Sequence, residues 1–450
     1  MRLRNLLLLP IVAYSCMASA AIIPRDQAKS RALEFLAKPM AKGMMRVQSG
    51  LRGSSLREVI SADSAYYIFN VGQRGFVIAS ASDRTQPVLG YSDNGTFSVS
   101  GMPVQLRLWL QRLKEGVRAM ETGTVALSKR AQTVSATPRP TRNAIPALVT
   151  SKWNQGAPYN LLCPYYKDEK TGEMTTGDNR SATGCVATAM SQVMYYWKWP
   201  QDLTQVIPGY TSTWNMPRTL DPLPRTKFDW GNMLDTYGDT SPDASKIAVA
   251  ELMEYVGHSI NTGYGPASGA YSGNCATALI KYFDYNPYLY HANHDNYTYD
   301  GWEDLIYSEL AKGHPLMMSG DNSDLTGGHE WVCDGYDGNG CFHMNWGWGG
   351  MDDGYFVLTV MSPDNQGIGG STSSDGYSMS QTIVVGVEPN AGQTADEADV
   401  RLSLMAVNTP SKTRFTRKDK TVAFTPVFRY DLATPCQYTH AYDHKFSLYN

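Results

Sequence analysis

A cysteine and a histidine far apart in the chain carry the chemistry that this sequence offers. After residues 181–184, the positions Val186, Ala189, Val193, Met194 and Trp197 recur at helical spacing until Pro200 ends the run. The spacing predicts a helix whose first turn holds Cys185. Unpaired backbone N–H groups and the positive end of the helix dipole favour a thiolate there, so the thiol pKa is expected below its free value of about 8.5. A nucleophile requires such a setting. The plainer alternative is a small buried cysteine packing a helix start.

A thiolate also needs a base. His329 follows Gly327 and Gly328, which let a substrate backbone approach, and opens a run through Gly335 that reads as a strand. Asp337-Gly338-Asn339-Gly340 is a hairpin signal, and the returning strand carries Asn345 and Trp346 back beside His329. An amide oxygen accepting the imidazole N–H would fix its tautomer, and the Trp346 ring would shield that bond and favour the imidazolium. Alone, His329 reads as a structural histidine; the hairpin reverses that reading. Gln155 stands 30 positions before the cysteine. Its side-chain N–H, with the Cys185 backbone N–H, suits the oxyanion of a tetrahedral intermediate. By itself it is a turn residue.

These residues need a scaffold, and 450 residues supply two to four domains at roughly 100 to 200 residues each. Ala28, Ala32, Phe35 and Leu36 predict a helix over 26–38; residues 66–70 and 75–80 read as a hairpin; Leu106, Trp109, Leu110, Leu113 and Val117 predict a helix over 103–120. That makes an N-terminal domain over 21–121. Residues 122–143 show little periodicity and include two prolines in a polar string, a linker open to proteolysis at Lys129, Arg130, Arg139 or Arg142. The main domain spans 144–390. Beyond it, residues 391–450 read as a C-terminal β extension, incomplete at Asn450, with alternation over 421–428.

Composition narrows the function further. Charged residues make up 18%, below the roughly 25% of ordinary soluble chains, while 42% are apolar, so the chain folds. With 39 Lys and Arg against 42 Asp and Glu, no basic field recruits nucleic acid or anionic lipid. Two arginines in the first four residues, an apolar stretch and Ala18-Ser19-Ala20 read as a signal peptide over 1–20, cleaved after Ala20. The apolar stretch is about half the length of a membrane span. A lipid anchor on Cys16 fits less well, since Ala13 and Tyr14 are unsuited to it. Six cysteines then remain, irregularly spaced and without a CxxC pair, which argues against a dense disulfide framework. Cys333 and Cys341 are candidates to face each other across the hairpin.

Taken together, residues 182–189, Gly327-Gly328-His329, residues 345–350 and Asn154-Gln155-Gly156 resemble the streptopain family of papain-like cysteine peptidases, the interpain type included. The resemblance covers about residues 22–390 and implies an α+β fold, a papain-like cysteine peptidase domain behind an N-terminal α+β prodomain. It implies Cys185 as nucleophile, His329 as general base and acid, Gln155 as oxyanion donor, and Asn345 with Trp346 orienting and covering the histidine. Tyr264-Gly265-Pro266-Ala267-Ser268-Gly269 resembles the family's substrate-cleft loop, which with Gly327 and Gly328 would bind an extended peptide; as a plain sequence it is a Gly/Pro turn. Residues 66–96, notably 75–80 and 89–92, resemble the family's prodomain, which implies a zymogen whose own prodomain is an intramolecular inhibitor. The expected product is a secreted or cell-surface bacterial endopeptidase acting on proteins or peptides, without metal or organic cofactor, and with an apolar residue just before the cleaved one. Two other classes compete: a noncatalytic surface-binding protein whose aromatics grip glycan or peptide, and a zinc-dependent hydrolase using Cys333, Cys341, His343 or His329.

Overall fold

The computed structural model describes residues 22–38, 55–62, 65–83, 85–122, 142–213, 216–294, 297, 299–321, 328–358, 381–392, 403–408 and 429–433. The signal peptide, nearly all of the linker, Gly327 and the run 421–428 lie outside them. Helix α1 (Arg25–Ala37) precedes strands β1 (Leu56–Ala62), β2 (Tyr66–Val71), β3 (Phe76–Ser80) and β4 (Val88–Ser92) and helix α2 (Val104–Thr122). The expected hairpin is β2 and β3, but a strand flanks it on each side. β4 is buried along its whole length and so lacks the period-2 alternation that marks a half-exposed strand. β1 is interrupted by a bulge between Glu58 and Ile60.

After residue 142 come α3 (Cys185–Trp197), the small hairpin β5 (Tyr210–Ser212) and β6 (Arg218–Leu220), then α4 (Asp243–Ser259), α5 (Asn274–Phe283), β7 (Tyr290–Asn293) and α6 (Tyr299–Ala311). Strands β8 (Leu316–Asp321), β9 (Gly328–Tyr336), β10 (Phe342–Asn345), β11 (Gly354–Phe356) and β12 (Thr382–Val385) follow. A last antiparallel pair, β13 (Ser403–Asn408) with β14 (Arg429–Ala433), stands in the C-terminal extension, where β structure was expected.

Ten strands form one sheet in the order β1-β2-β3-β4-β11-β10-β9-β8-β12-β7, and every pairing is antiparallel. The N-terminal domain therefore continues the sheet of the main domain. The seam is β4 against β11, with Tyr91 opposite Tyr355 and Gly90 opposite Phe356. A Cβ at Gly90 would come within 2.5 Å of the Phe356 ring, so only a glycine lets the two strands pair this closely.

The main-domain sheet separates two apolar cores, and β9 feeds both. Trp331 and Cys333 join the core that holds Trp109 of α2 and Trp302 of α6. Val332 joins the other, which holds α3, α4 and α5 through Val193, Val249 and Leu279. Such alternation is the pleat of a strand buried on both faces. Cys333 pairs with Met344, and Cys341 lies before β10, so the two do not oppose each other; both are buried and neither is in a disulfide. Among the described residues no helix is long and apolar enough to cross a membrane.

Candidate active site

Helix α3 begins at Cys185 because Gly184 precedes it at φ 88°, a left-handed conformation in which a Cβ would also approach the Ser268 carbonyl to 3.1 Å. The residues leading into the helix are held from two sides. Ala182 N–H donates to the Gly265 carbonyl at 3.0 Å, and Thr183 N–H donates to the Gln155 carbonyl at 3.0 Å. Both Gln155 and the 264–269 loop are thus brought to the cysteine. The loop is closed on itself by the Gly263–Gly269 bridge and by Ser268, whose Oγ lies 3.0 Å from both the Gly265 N–H and the Gly265 carbonyl. Tyr264 is buried.

Three backbone N–H groups, those of Glu330, Val186 and Cys185 itself, hydrogen-bond the Cys185 sulfur. They favour the thiolate, as expected at a helix start. Burial outweighs them, with the Glu330 charge adding to it, and the thiol pKa is pushed up to about 11. This corrects the expected depression: in this state burial holds the sulfur as the neutral thiol. The sequence shows the helix but not what covers its first turn.

His329 is the neighbour of Glu330 on β9, and the pleat sends the two to opposite faces. His329 shares the face of Trp331 and Cys333, beneath α2, while Glu330 shares the face of Val332, beside α3. Burial lowers the His329 pKa, and the Arg107 charge lowers it further. Among the described residues no hydrogen bond joins His329 to Asn345. The Asn345 amide instead donates to the Ser151 carbonyl at 2.8 Å and to Gln192 Oε1 at 3.1 Å, and its oxygen accepts from the Gly347 and Gln192 N–H groups at 3.1 and 3.2 Å. Trp346 is fully buried between Trp331 and Phe356 and donates to the Asp352 carbonyl. Cysteine and histidine are therefore neutral and apart, although the backbone bearing one touches the other.

Helix α2 explains the arrangement. Gln105 donates to the Glu330 carbonyl at 3.4 Å and accepts from the Trp348 indole at 2.6 Å, bridging the histidine strand to the Trp346-Gly347-Trp348 turn. Trp109 packs on Phe356 and donates to the Val357 carbonyl at 3.2 Å. Gln105 and Gln192 were both missed from sequence. Gln192 had a signal, a glutamine within an otherwise apolar helical stripe; Gln105 had none, because its role depends on where the helix docks.

Beside the seam lies a buried acidic group. The Asp334 carboxylate, at the β9 bulge, accepts from Val149 N–H at 2.8 Å and lies 2.6 Å from His343 Nδ1. Burial opposes a charged His343, yet Asp334 and Asp353 raise its pKa on balance. Burial and the Asp353 charge push Asp352 up to about 7. Since an unfolded aspartate titrates near 4, the folded chain binds the extra proton, and this contribution to stability is lost as pH rises from about 4 through 7. Asp352 also has a φ of 57°, which asparagine tolerates. Asp352→Asn is expected to melt a few degrees above the wild type at pH 8, the two curves converging near pH 4 in differential scanning fluorimetry.

Among the described residues no group of three His, Cys, Asp or Glu side chains is placed to hold a metal ion. The peptidase C10 family matches residues 153–356, and the Spi protease inhibitor family matches residues 20–117. Streptopain of Streptococcus pyogenes is 33% identical over 385 residues, covering 81% of this chain and 91% of that protein. The thiol protease/hemagglutinin PrtT of Porphyromonas gingivalis is 30% identical over 398 residues, covering 84% of this chain and 43% of that protein. A fragment of Prevotella intermedia prointerpain A superposes with a TM-score of 0.57 at 30% identity, covering 74% of this chain and 98% of the fragment. Neither the zinc hydrolase nor the noncatalytic binder is favoured by these likenesses. The α+β chain belongs to the streptopain, or peptidase C10, family and is a cysteine endopeptidase made as a zymogen.

Proposed function

We propose that Cys185 and His329 carry out peptide-bond hydrolysis once α2 has left the cleft. One observation supports this above others: the Cys185 sulfur, at the head of a buried helix, accepts a hydrogen bond from the residue next to His329. His329 takes the thiol proton as the sulfur attacks the peptide carbonyl, and the oxyanion is held by the Cys185 backbone N–H and the Gln155 side chain. The histidine passes its proton to the departing amine. It then removes one from water, which attacks the thioester, breaks the C–S bond and releases the acyl group as a carboxylic acid, while the freed thiolate takes back the proton held on the histidine. Asn345 and Trp346 orient and cover the imidazole in this active arrangement. The loop of Tyr264, Gly265, Pro266, Ser268 and Gly269, with Gly327 and Gly328, pairs with the substrate backbone.

The N-terminal domain is the intramolecular inhibitor in this reading. Helix α2 occupies the face of β9 on which His329 lies and brings Arg107 to the histidine, so its departure frees the ring to turn toward the sulfur. Export by the signal peptide delivers the zymogen to the cell surface or beyond, and cleavage in the 122–143 linker releases it. The reading is tested on the processed enzyme by comparing a thiol alkylator with a chelator. Iodoacetamide is expected to abolish peptide cleavage in step with labelling of Cys185, and EDTA to leave it unchanged. Activity that outlasts complete labelling, or that falls with EDTA, reverses the assignment.

A further inference from the structure

A buried glutamine joins three segments that the reaction needs, and no step of the reaction assigns it a part. Gln192 lies seven residues after Cys185, two turns along α3 and on the same face of that helix. It is fully buried. Its Oε1 accepts from the Ser151 hydroxyl at 3.0 Å, the Trp153 backbone N–H at 3.3 Å and the Asn345 amide at 3.1 Å. Its Nε2 donates to Asn345 Oδ1 at 3.2 Å, which completes a reciprocal amide pair.

Residues 151–153 are thereby strung between α3 and the turn that follows β10. The Trp153 N–H goes to Gln192, while its carbonyl accepts from Gly349 N–H at 2.9 Å. The Trp153 ring lies 4.7 Å from that of Tyr195, one turn beyond Gln192, and its indole donates to the Leu234 carbonyl at 2.9 Å. Lys152 N–H, by contrast, goes outside α3, to the Asp235 carbonyl at 2.8 Å. Two residues after Trp153 comes Gln155, whose carbonyl takes the N–H of Thr183, two residues before Cys185. The backbone that presents Gln155 is therefore tied to the nucleophile helix at two points, through Gln192 at Trp153 and through the helix approach at Gln155 itself.

We propose that Gln192 is a positioning residue for the oxyanion site, holding the backbone of Gln155 in register with the Cys185 N–H. The proposal rests on the peptidase reading above. A buried amide stabilises a fold only when its bonds are made, and an apolar side chain of the same length would fill the space without that requirement. What the amide adds is a fixed distance between α3 and residues 151–153. Oxyanion donors depend on such a distance: they act from about 2.7–3.1 Å, and a displacement of about 1 Å costs roughly 10²-fold in rate. Ser151, Trp153 and Gln192 all lie in the main domain, so departure of α2 leaves their bonds in place.

The test uses enzyme released by a site-specific protease whose recognition sequence is built into the 122–143 linker, so that release does not depend on the activity measured. Gln192→Met is expected to lower kcat on a fluorogenic peptide by about 10- to 100-fold with KM within about 2-fold. The aldehyde of the same peptide, whose carbonyl oxygen enters the oxyanion site once the sulfur adds to its carbon, should bind more weakly by a similar factor. Iodoacetamide labelling of Cys185, a halide displacement that builds no oxyanion, should keep its wild-type rate. On a Gln155→Ala background, itself slower by about 10²- to 10³-fold, Gln192→Met should cost no more than about 2-fold further. Ser151→Ala, which removes one of the three donors, should show the same pattern with a loss of about 2- to 10-fold, and serves where the methionine variant does not fold. Wild-type kcat in the folded variant overturns the proposal, as do losses that multiply in the double variant. Labelling that slows as much as hydrolysis also overturns it, assigning Gln192 to the shape of the helix alone. Gln155→Ala with undiminished kcat, or wild-type enzyme that is labelled on Cys185 yet cleaves no peptide, counts against the peptidase reading itself and takes the proposal with it.

Discussion

Cys185→Ala is expected to lose peptide hydrolysis by about 10⁴-fold or more and to stay full length when purified and incubated under reducing conditions, whereas the wild type shortens. The magnitude follows from the role. A nucleophile acts as a unit with its base, and removing it leaves only what binding and the oxyanion donors supply. Replacing a sulfur by a hydrogen at this buried position costs a small cavity, roughly 1 kcal/mol, which a chain with two extensive cores tolerates. The variant therefore folds, and loss of activity reports chemistry. N-terminal sequencing of both proteins over time reads the result. Processing of purified Cys185→Ala at the wild-type rate would end the idea of self-cleavage, and hydrolysis by it would remove Cys185 from the reaction.

Gly90→Val is the second large expectation: an unprocessed chain whose Cys185 thiol is no longer protected. The new Cβ falls 2.5 Å from the Phe356 ring and 3.2 Å from the Tyr355 carbonyl, so β4 cannot pair with β11 as it does in the wild type. Overpacking of this kind costs about 1–3 kcal/mol, which shifts the balance between docked and undocked N-terminal domain by roughly 5- to 150-fold. Each undocked molecule loses the Gln105 bond to the carbonyl of Glu330, the residue whose N–H is bonded to the sulfur, and the Arg107 charge beside His329. Iodoacetamide labelling of Cys185 at pH 7, followed by mass spectrometry of the full-length chain, should quicken by roughly 5- to 150-fold, in step with that shift. Labelling at the wild-type rate would mean that latency does not depend on the β4–β11 seam.

What the sequence reveals and what it hides divide along a physical line. Periodicity within one segment was enough for α1, α2, the head of α3 at Cys185, and the β9–β10 hairpin, because each is decided by neighbours a few positions away. β4 escaped because a strand buried on both faces has no alternation to read. The thiol's raised pKa escaped for a related reason: the helix dipole is local, but the groups packed around the sulfur include Glu330 of β9 and Cys275 of α5, 145 and 90 residues further on. Asn345 was expected beside His329 on hairpin proximity alone. The structure gives that amide to Gln192 and Ser151 while the prodomain is docked, since the pleat, read one residue off, exchanges His329 for Glu330 at the sulfur.

The shared ten-stranded sheet has a consequence for how much active enzyme a cut produces. Severing the linker removes a tether but none of the hydrogen bonds along β4 and β11 and none of the packing of Trp109 on Phe356. The N-terminal piece changes from a component held at fixed local concentration to a separate molecule obeying mass action. Dilution after the cut, more than scission itself, then governs when hydrolysis begins, and crowded molecules remain silent longer than dispersed ones.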